Sequence, residues 1–464
     1  MKPFQIALFI LLALPVVAAH LLYSLEPGLL VSASALASVG LLSYSVGSIV
    51  AGLKEGMTRK VVGLVLVSIL AGYYFAQFLS YYLQGGYFNQ QFYFHFNLVT
   101  VVETWSAFYL LGVLFLGWLS CLWLSFLYFN KKSFSAESSK PVLATLLLVA
   151  LFLDPGLRQS MATFTSNLSY STASLDAVDW EQLDLDQQVL QNADLEATPG
   201  KNLVFVFLEG LERIYTEESI FPGLTPNLNR LNEEGWQLDN LIQVEGSGWT
   251  MAGIVSSFCG TPLLYESSVS GNEILFSRFL DNVTCLSDIL NAAGYEQVYM
   301  GGASLAFAGK GDFLTTHNFD EVYGRDEMTS LLEDPDYLGA WGLYDDSLFS
   351  LALRQFDRLA EGEKPFNMTL LTVDTHHPAG EPSPDCQHYL AVDNSILHAV
   401  HCTDYLVGDF IDKLKQRPAF EETVIILVSD HLAMRNNAFS LFEGGYDRRL
   451  YFNVLNSGTS APVQ

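Results

Sequence analysis

Nearly every uninterrupted apolar run in this chain lies before Asp154, and that asymmetry constrains the fold more than any other feature. Five segments stand out, at residues 4–24, 28–53, 61–83, 104–129 and 139–153. A helix needs about 20 apolar residues to cross a bilayer. The first four segments reach that length, whereas the fifth is short and stops at Asp154-Pro155. Membrane-length segments follow the first, so it reads as a span and not as a removable signal peptide. The expectation is an α-helical membrane domain over residues 1–154 with about five transmembrane helices. A linker rich in Ser, Thr, Asp and Gln, with one interfacial helix, follows over 155–200, and a globular domain covers 201–464.

Basic residues set the orientation. Lys2 precedes the first segment; Lys54, Arg59 and Lys60 lie between the second and third; Lys131, Lys132 and Lys140 lie between the fourth and fifth. The loops 25–27 and 84–103 carry no Lys or Arg. Basic loops stay cytoplasmic, which puts the N-terminus inside. Five crossings place residue 155 onward outside; four would leave it in the cytoplasm. Cys259, Cys285, Cys386 and Cys402 all follow that point, and an even number fits two disulfides in an oxidising compartment, which favours five crossings. Cys121, in an apolar run, reads as a small buried hydrophobe. The Tyr- and Phe-rich stretch from Gly85 to Phe96 reads as an aromatic belt at the outer interface.

Residues 155–464 hold 16 basic and 45 acidic side chains, a formal charge of −29. So acidic a domain does not bind nucleic acid through its general field. The charge serves solubility, and acidic clefts also attract divalent cations.

From Lys201 the pattern changes to α/β. Strands are expected at Asn202–Leu208, Gln297–Met300, Asn367–Val373, Val424–Ser429 and Leu450–Leu455. Between them lie helical patterns at Pro226–Glu234, with Thr225 as cap, and at Met251–Phe258, Cys285–Ala293, Asp345–Ala360 and Ser395–Lys415. This alternation predicts a mainly parallel sheet covered by helices. The first strand runs into Glu209, the second into Gly301-Gly302-Ala303-Ser304, the third into Asp374-Thr375-His376-His377 and the fourth into Asp430-His431. Ligand sites in such sheets form beyond the carboxyl ends of the strands. Carboxylates and imidazole converging there suit Zn2+ or Mn2+. Thr250 follows the flexible Gly246-Ser247-Gly248-Trp249 turn and opens a helix, a position that suits either a simple cap or a cation-activated nucleophile.

Longer motifs carry a family resemblance. Thr225-Pro226-Asn227-Leu228-Asn229-Arg230-Leu231 with Glu234-Gly235 resembles a segment of the sulfatase and alkaline phosphatase superfamily. Cys259-Gly260-Thr261-Pro262-Leu263 lacks the C-x-P-x-R pattern of formylglycine sulfatases, so the branch with a threonine nucleophile fits better. Within it, the chain resembles the bacterial phosphoglycerol transferases of osmoregulated periplasmic glucans, and lipoteichoic acid synthases more distantly. Five segments carry this: Glu209–Arg213, Gly248–Gly253, Phe307–Lys310, Asp374–Pro378 and Ser429–Met434.

The resemblance spans roughly 201–455 and implies Glu209, Thr250, Asp430 and His431 as ligands of one divalent ion, Mn2+ or Zn2+ with Mg2+ a further candidate. Thr250 is also the implied nucleophile, and His376 the phosphate-contacting histidine with a catalytic role. Lys310, His376 and His377 are the expected substrate contacts, and Cys259–Cys285 and Cys386–Cys402 the implied disulfides. The implied reaction transfers phosphoglycerol from phosphatidylglycerol to a glucan acceptor, releasing diacylglycerol, at the outer face of a bacterial inner membrane. A glycerolphosphate polymerase, a phosphoethanolamine transferase and an inactive membrane sensor are the rival expectations. Two departures from the family pattern stand out: Gly210 replaces a usual Ser, and the domain is C-terminally short, ending at Gln464 where relatives continue.

Overall fold

The computed structural model describes residues 3–22, 29–84, 87–88, 92, 102, 105–130, 140–170, 197–244, 246–263, 280–281, 283–434, 436–442 and 446–458. Lys2, Lys131, Lys132, most of the aromatic stretch 85–96 and most of the 155–200 linker lie outside the described residues. The chain divides into two compact units, Met1–Phe94 with Phe108–Thr172 and His95–Ala107 with Ala173–Gln464.

The first unit contains α1 (Pro3–Leu22), α2 (Leu29–Gly52), α3 (Met57–Gln84), α4 (Trp105–Asn130), α5 (Lys140–Leu153) and α6 (Pro155–Tyr170). Three spans are long and apolar enough to cross a membrane: Ala33–Gly52, Met57–Tyr82 and Phe108–Asn130. The pair Lys140–Leu153 and Pro155–Ala162, bent by 70°, makes a fourth if it is one span, and the apolar stretch Pro3–Ala18 is shorter. Among the described residues the count is thus three or four, slightly below the expected five. The α5–α6 break has a clear cause. Pro155 cannot donate a helical hydrogen bond, and the buried Asp154 carboxylate instead accepts from Tyr73 Oη (2.5 Å), Gln77 Nε2 (2.9 Å), Ser38 Oγ (3.3 Å) and the Leu157 backbone N–H (2.9 Å). Cys121 is exposed, contrary to expectation. It sits on α4, which also turns Leu110, Val113, Leu114, Leu116 and Leu124 outward, as a helix surrounded by lipid does.

The second unit is built on a seven-stranded sheet in the order β2-β7-β6-β1-β5-β3-β4. Its strands are β1 (Asn202–Leu208), β2 (Trp236–Gln237), β3 (Glu296–Gly301), β4 (Glu321–Tyr323), β5 (Phe366–Leu371), β6 (Thr423–Ser429) and β7 (Phe452–Leu455). β6, β1, β5, β3 and β4 run parallel, and β7 and β2 pair antiparallel at one edge. The helices are α7 (Pro226–Glu234), α8 (Thr250–Cys259), α9 (Leu286–Ala292), α10 (Lys310–Thr316), α11 (Arg325–Thr329), α12 (Asp345–Ala360) and α13 (Ser395–Leu414).

β1 is apolar throughout because both of its faces are covered. Val204, Val206 and Leu208 join the main core with residues of α7, α12 and α13. Phe205 and Phe207 point the other way, and their rings meet Phe258 of α8 at 5.3 and 5.9 Å. Each buried phenyl contributes about 1.5–3 kcal/mol, so this trio pins α8 to the centre of the sheet. Thr225 stands at the N-cap of α7, but its hydroxyl donates to Tyr215 O (3.0 Å). The free N–H groups of α7 are taken by Asp404 of α13, which accepts from Asn227 N (3.1 Å) and Leu228 N (2.7 Å). Cys259 is bonded to Cys285 and Cys386 to Cys402.

Candidate active site

The sheet order makes β6, β1, β5 and β3 consecutive neighbours, so their carboxyl ends form one continuous edge. β1 delivers Glu209 and β6 delivers Asp430 and His431. Oxygens of the two carboxylates and a His431 ring nitrogen lie within 4.8 Å of one another, all three residues being buried. Thr250, the first residue of α8, donates from Oγ1 to Glu209 Oε2 at 3.1 Å. The N-cap of α8 is Trp249, so the Thr250 hydroxyl is turned to the acidic group and does not cap its own helix.

Each member is held from behind. Glu209 N donates to Thr372 Oγ1 (2.9 Å), and Thr375 Oγ1 donates to Glu209 O (2.5 Å). Asp430 Oδ1 accepts from Gly210 N and His431 N, both at 2.8 Å. Gly210 has φ of 54°, a left-handed conformation that favours glycine. His431 Nδ1 lies 2.7 Å from Leu432 O, and a carbonyl only accepts, so Nδ1 carries the proton.

These bonds leave the inward atoms in conflict. His431 Nε2 faces Glu209 Oε1 at 3.3 Å and Asp430 Oδ2 at 3.4 Å. Nε2 and Asp430 Oδ2 are both buried without a hydrogen-bond partner. An imidazole lone pair aimed at carboxylate oxygens is tolerable only with a positive charge between them. Without an ion, a proton serves. Burial alone would lower His431, but Asp430 and Glu209 override it and push it up to about 10. Burial and the Glu209 charge push Asp430 up to about 8. Burial works to raise Glu209, but His431 and His376 outweigh it and hold it below the usual carboxylate range. Two carboxylates, an imidazole nitrogen and an adjoining hydroxyl are a donor set that fits a divalent cation such as Zn2+ or Mn2+.

A second trio, Cys285, Asp288 and His317, has similar spacing. Cys285 is already bonded to Cys259, and Asp288 accepts from Cys285 N (2.8 Å) and Asn318 Nδ2 (2.7 Å), so this group is a helix-capping network.

The acidic trio borders a pocket whose lining includes Glu209, Thr250, Ser304, Lys310, Arg325, Trp341 and His376. Lys310 opens α10 and is buried. Burial lowers its amine to about 8 against the pull of Glu209 and Asp430. His376 lies beyond β5, and its Nδ1 donates to His377 O at 2.8 Å, leaving Nε2 for proton exchange. Burial also shifts His376 downward. His377 does not line the pocket; its ring packs against that of His376 with centroids 4.6 Å apart. The structure thus gathers Glu209, Thr250, Asp430 and His431, sets Lys310 and His376 beside them, and places His377 outside.

Sequence reasoning missed Trp341, whose ring centroid lies 3.8 Å from that of His376, and Arg325, which opens α11. Trp341 sits in an irregular Gly-rich segment with no periodicity to expose it. Glu212, inside a recognised motif, serves the fold: its buried carboxylate accepts from Arg448 Nε at 3.1 and 2.9 Å and also pairs with Arg448 Nη2.

A family model described as Sulfatase matches residues 201–459. The phosphoglycerol transferase I of Salmonella arizonae is 40% identical over 261 residues, covering 55% of this chain and 34% of that protein. The chain therefore spans about a third of the length of the curated relatives it matches. Among solved structures, an alkaline phosphatase superfamily protein from Vibrio parahaemolyticus is 22% identical, covers 58% of this chain and 63% of that one, and has a TM-score of 0.47. A lipoteichoic acid synthase from Listeria monocytogenes is 19% identical, with coverage of 61% and 72% and a TM-score of 0.48.

Proposed function

This chain belongs to the sulfatase family, and from that premise we propose that it is a membrane-anchored phosphotransferase. It moves phosphoglycerol from phosphatidylglycerol to a periplasmic glucan through Thr250 and releases diacylglycerol. The observation that carries this reading is the Thr250 hydroxyl, 3.1 Å from Glu209 and at the rim of a trio that demands a positive charge. The name of the Salmonella relatives, phosphoglycerol transferase I, supports the choice of transferred group.

Glu209, Asp430, His431 and the Thr250 oxygen would hold the cation. When bound, a divalent ion there favours a deprotonated oxygen and offsets negative charge on a phosphate. The residues supply the rest. Thr250 donates its hydroxyl proton toward Glu209, and the helix N-terminus favours the resulting oxyanion. Thr250 Oγ1 attacks phosphorus, and the bond from phosphorus to the diacylglycerol oxygen breaks. That oxygen takes a proton from His376 Nε2, which enters this step as the imidazolium because Nδ1 holds its own proton against His377 O. An acceptor hydroxyl then attacks the phosphoglyceryl-threonine and gives its proton back to His376, the bond from phosphorus to Thr250 breaks, and Thr250 Oγ1 takes back the proton held at Glu209. Lys310 supplies a fixed cation for the phosphate. The apolar helices tether the acidic domain to the membrane that contains its donor lipid, and the disulfides support a periplasmic setting.

The test is incubation of the full-length protein with phosphatidylglycerol and Mn2+, followed by mass analysis. A phosphoglyceryl adduct on Thr250 and free diacylglycerol are expected from the wild type, and no adduct from Thr250→Ala. Turnover by Thr250→Ala would refute the nucleophile. An adduct formed only from phosphatidylethanolamine would assign a different donor.

A further inference from the structure

The membrane unit contains a pocket of its own. Its lining includes Val16 of α1, Tyr74, Gln77, Phe78 and Tyr81 of α3, and Tyr87. Four of these six side chains carry a polar group, and among the described residues no charged side chain lines the pocket. Tyr81 and Tyr87 suit the edge of a membrane on any account. Tyr74 and Gln77 are different, because both are buried inside the helical unit. A polar group kept in such surroundings is costly unless something pairs with it.

Two hydrogen-bonding atoms there stay open. Gln77 Nε2 donates to Asp154 Oδ1 at 2.9 Å. A carboxylate only accepts, so this bond fixes the amide and leaves Oε1 as the acceptor that Gln77 offers the pocket. The start of α6 is packed directly on that amide: a Cβ on Gly156 would lie 2.3 Å from Nε2. Asp154 also accepts from Tyr73, Ser38 and the Leu157 N–H and has no exposure, so its charge is spent inside the fold and is not offered to a ligand. The second open atom is Tyr74 Oη, which is buried without a hydrogen-bond partner.

An acceptor beside a phenol is matched by one hydroxyl, which donates to Gln77 Oε1 and accepts from Tyr74 Oη. An ammonium offers no lone pair to the phenol, and a phosphate finds no cation in the lining. Depth points the same way. At about 1.5 Å per residue, Tyr74 and Gln77 lie about 25 and 30 Å along α3 from Met57, at the inner side of the far boundary of a hydrocarbon core about 30 Å thick. Charged headgroups lie beyond that level. We propose that this pocket binds a neutral lipid with one free hydroxyl, of the class of diacylglycerol, between Tyr74 Oη and Gln77 Oε1. This rests on the reading that diacylglycerol is the lipid product, and it gives the membrane unit a product site separate from Thr250.

The experiment titrates full-length protein in detergent micelles with dioleoylglycerol, its 3-O-methyl ether or dioleoyl phosphatidylglycerol, and counts retained lipid by mass analysis of the intact complex. Wild type is expected to retain one dioleoylglycerol about fivefold to tenfold better than the ether, which has lost the donor. Tyr74→Phe, which removes one oxygen and keeps the ring, is expected to erase that preference. Gln77→Met, of similar length, is expected to do the same. Equal retention of alcohol and ether by the wild type overturns the proposal and leaves the pocket to water. An unchanged preference in both variants overturns it too, and stronger retention of phosphatidylglycerol would make the pocket a donor site instead. Binding needs no turnover, so the two readings fail separately. Selective retention in a protein that releases no diacylglycerol from phosphatidylglycerol sinks the transfer reading and leaves the lipid site standing. Release without retention does the reverse.

Discussion

His431 Nε2 faces two carboxylate oxygens at 3.3 and 3.4 Å, and this single atom links the chemistry of the site to its stability. Without an ion, His431 is raised from its ordinary value to about 10 and Asp430 to about 8. Both folded values lie above the unfolded ones. Their contribution to stability is therefore complete at low pH and is lost as pH rises through about 8 for Asp430 and about 10 for His431. Glu209 is shifted the other way, so its contribution is present above the usual carboxylate range and is lost only in acid. A divalent cation must displace the proton on His431, so its affinity rises with pH. The expected outcome is a gain in Tm on adding Mn2+ that grows between pH 6 and pH 9 and disappears on adding a chelator. Differential scanning fluorimetry across that range checks it. A gain that shrinks with pH, or one that survives in His431→Gln, would mean the ion binds elsewhere.

At the scale of elements, α8 bears the proposed nucleophile, and its distance from β6 is set by one glycine. A Cβ on Gly253 would lie 1.8 Å from the Asp430 backbone oxygen. Phe258 holds the far end of α8 on Phe205 and Phe207 of β1, so the Thr250 end is the one that must give. Gly253→Ala is expected to push the Thr250 end of α8 away from Glu209 and Asp430. Overpacking of this kind costs about 1–3 kcal/mol, so the domain should still fold with a lowered Tm. Adduct formation at Thr250 should fall by about a hundredfold, as read by mass analysis of the trapped intermediate. Near-normal adduct yield would show that the close approach is not needed.

The same elements show which parts of the architecture could be read in the sequence. β1, β6 and α12 were legible because burial on both sheet faces writes continuous apolar runs, and amphipathic helices write a clear period. Glu209, Asp430 and His431 were legible because they sit directly at strand ends. The two-residue β2 and the three-residue β4 carry too few side chains to form a pattern. Thr225 was legible as the N-cap of α7, but not that Asp404, far off in sequence, accepts from the free N–H groups in place of its hydroxyl. Trp341 joins the pocket only when its loop meets the one bearing His376, which no local period encodes.

For the whole molecule, the decisive question is which side of the membrane the acidic unit occupies. Two lines of physical argument bear on it independently. Lys54, Arg59 and Lys60 cluster in and just after the short turn between α2 and α3, and basic loops resist translocation. In the second unit, Cys259–Cys285 and Cys386–Cys402 are both bonded, and such bonds persist in oxidising surroundings. Together they support the proposal that the α2–α3 turn is cytoplasmic and the acidic unit lies outside. Two exposed positions can report on this in one experiment. Glu55 in that turn has 73% of its side chain exposed, and Leu390 in the acidic unit is 96% exposed. In a Cys121→Ser background, Leu390→Cys is expected to react with a membrane-impermeant maleimide in intact spheroplasts. Glu55→Cys is expected to react only after permeabilisation. The opposite pattern would place the acidic unit in the cytoplasm, where a periplasmic glucan could not reach Thr250, and the proposed acceptor would have to be abandoned even if the chemistry at the threonine stood.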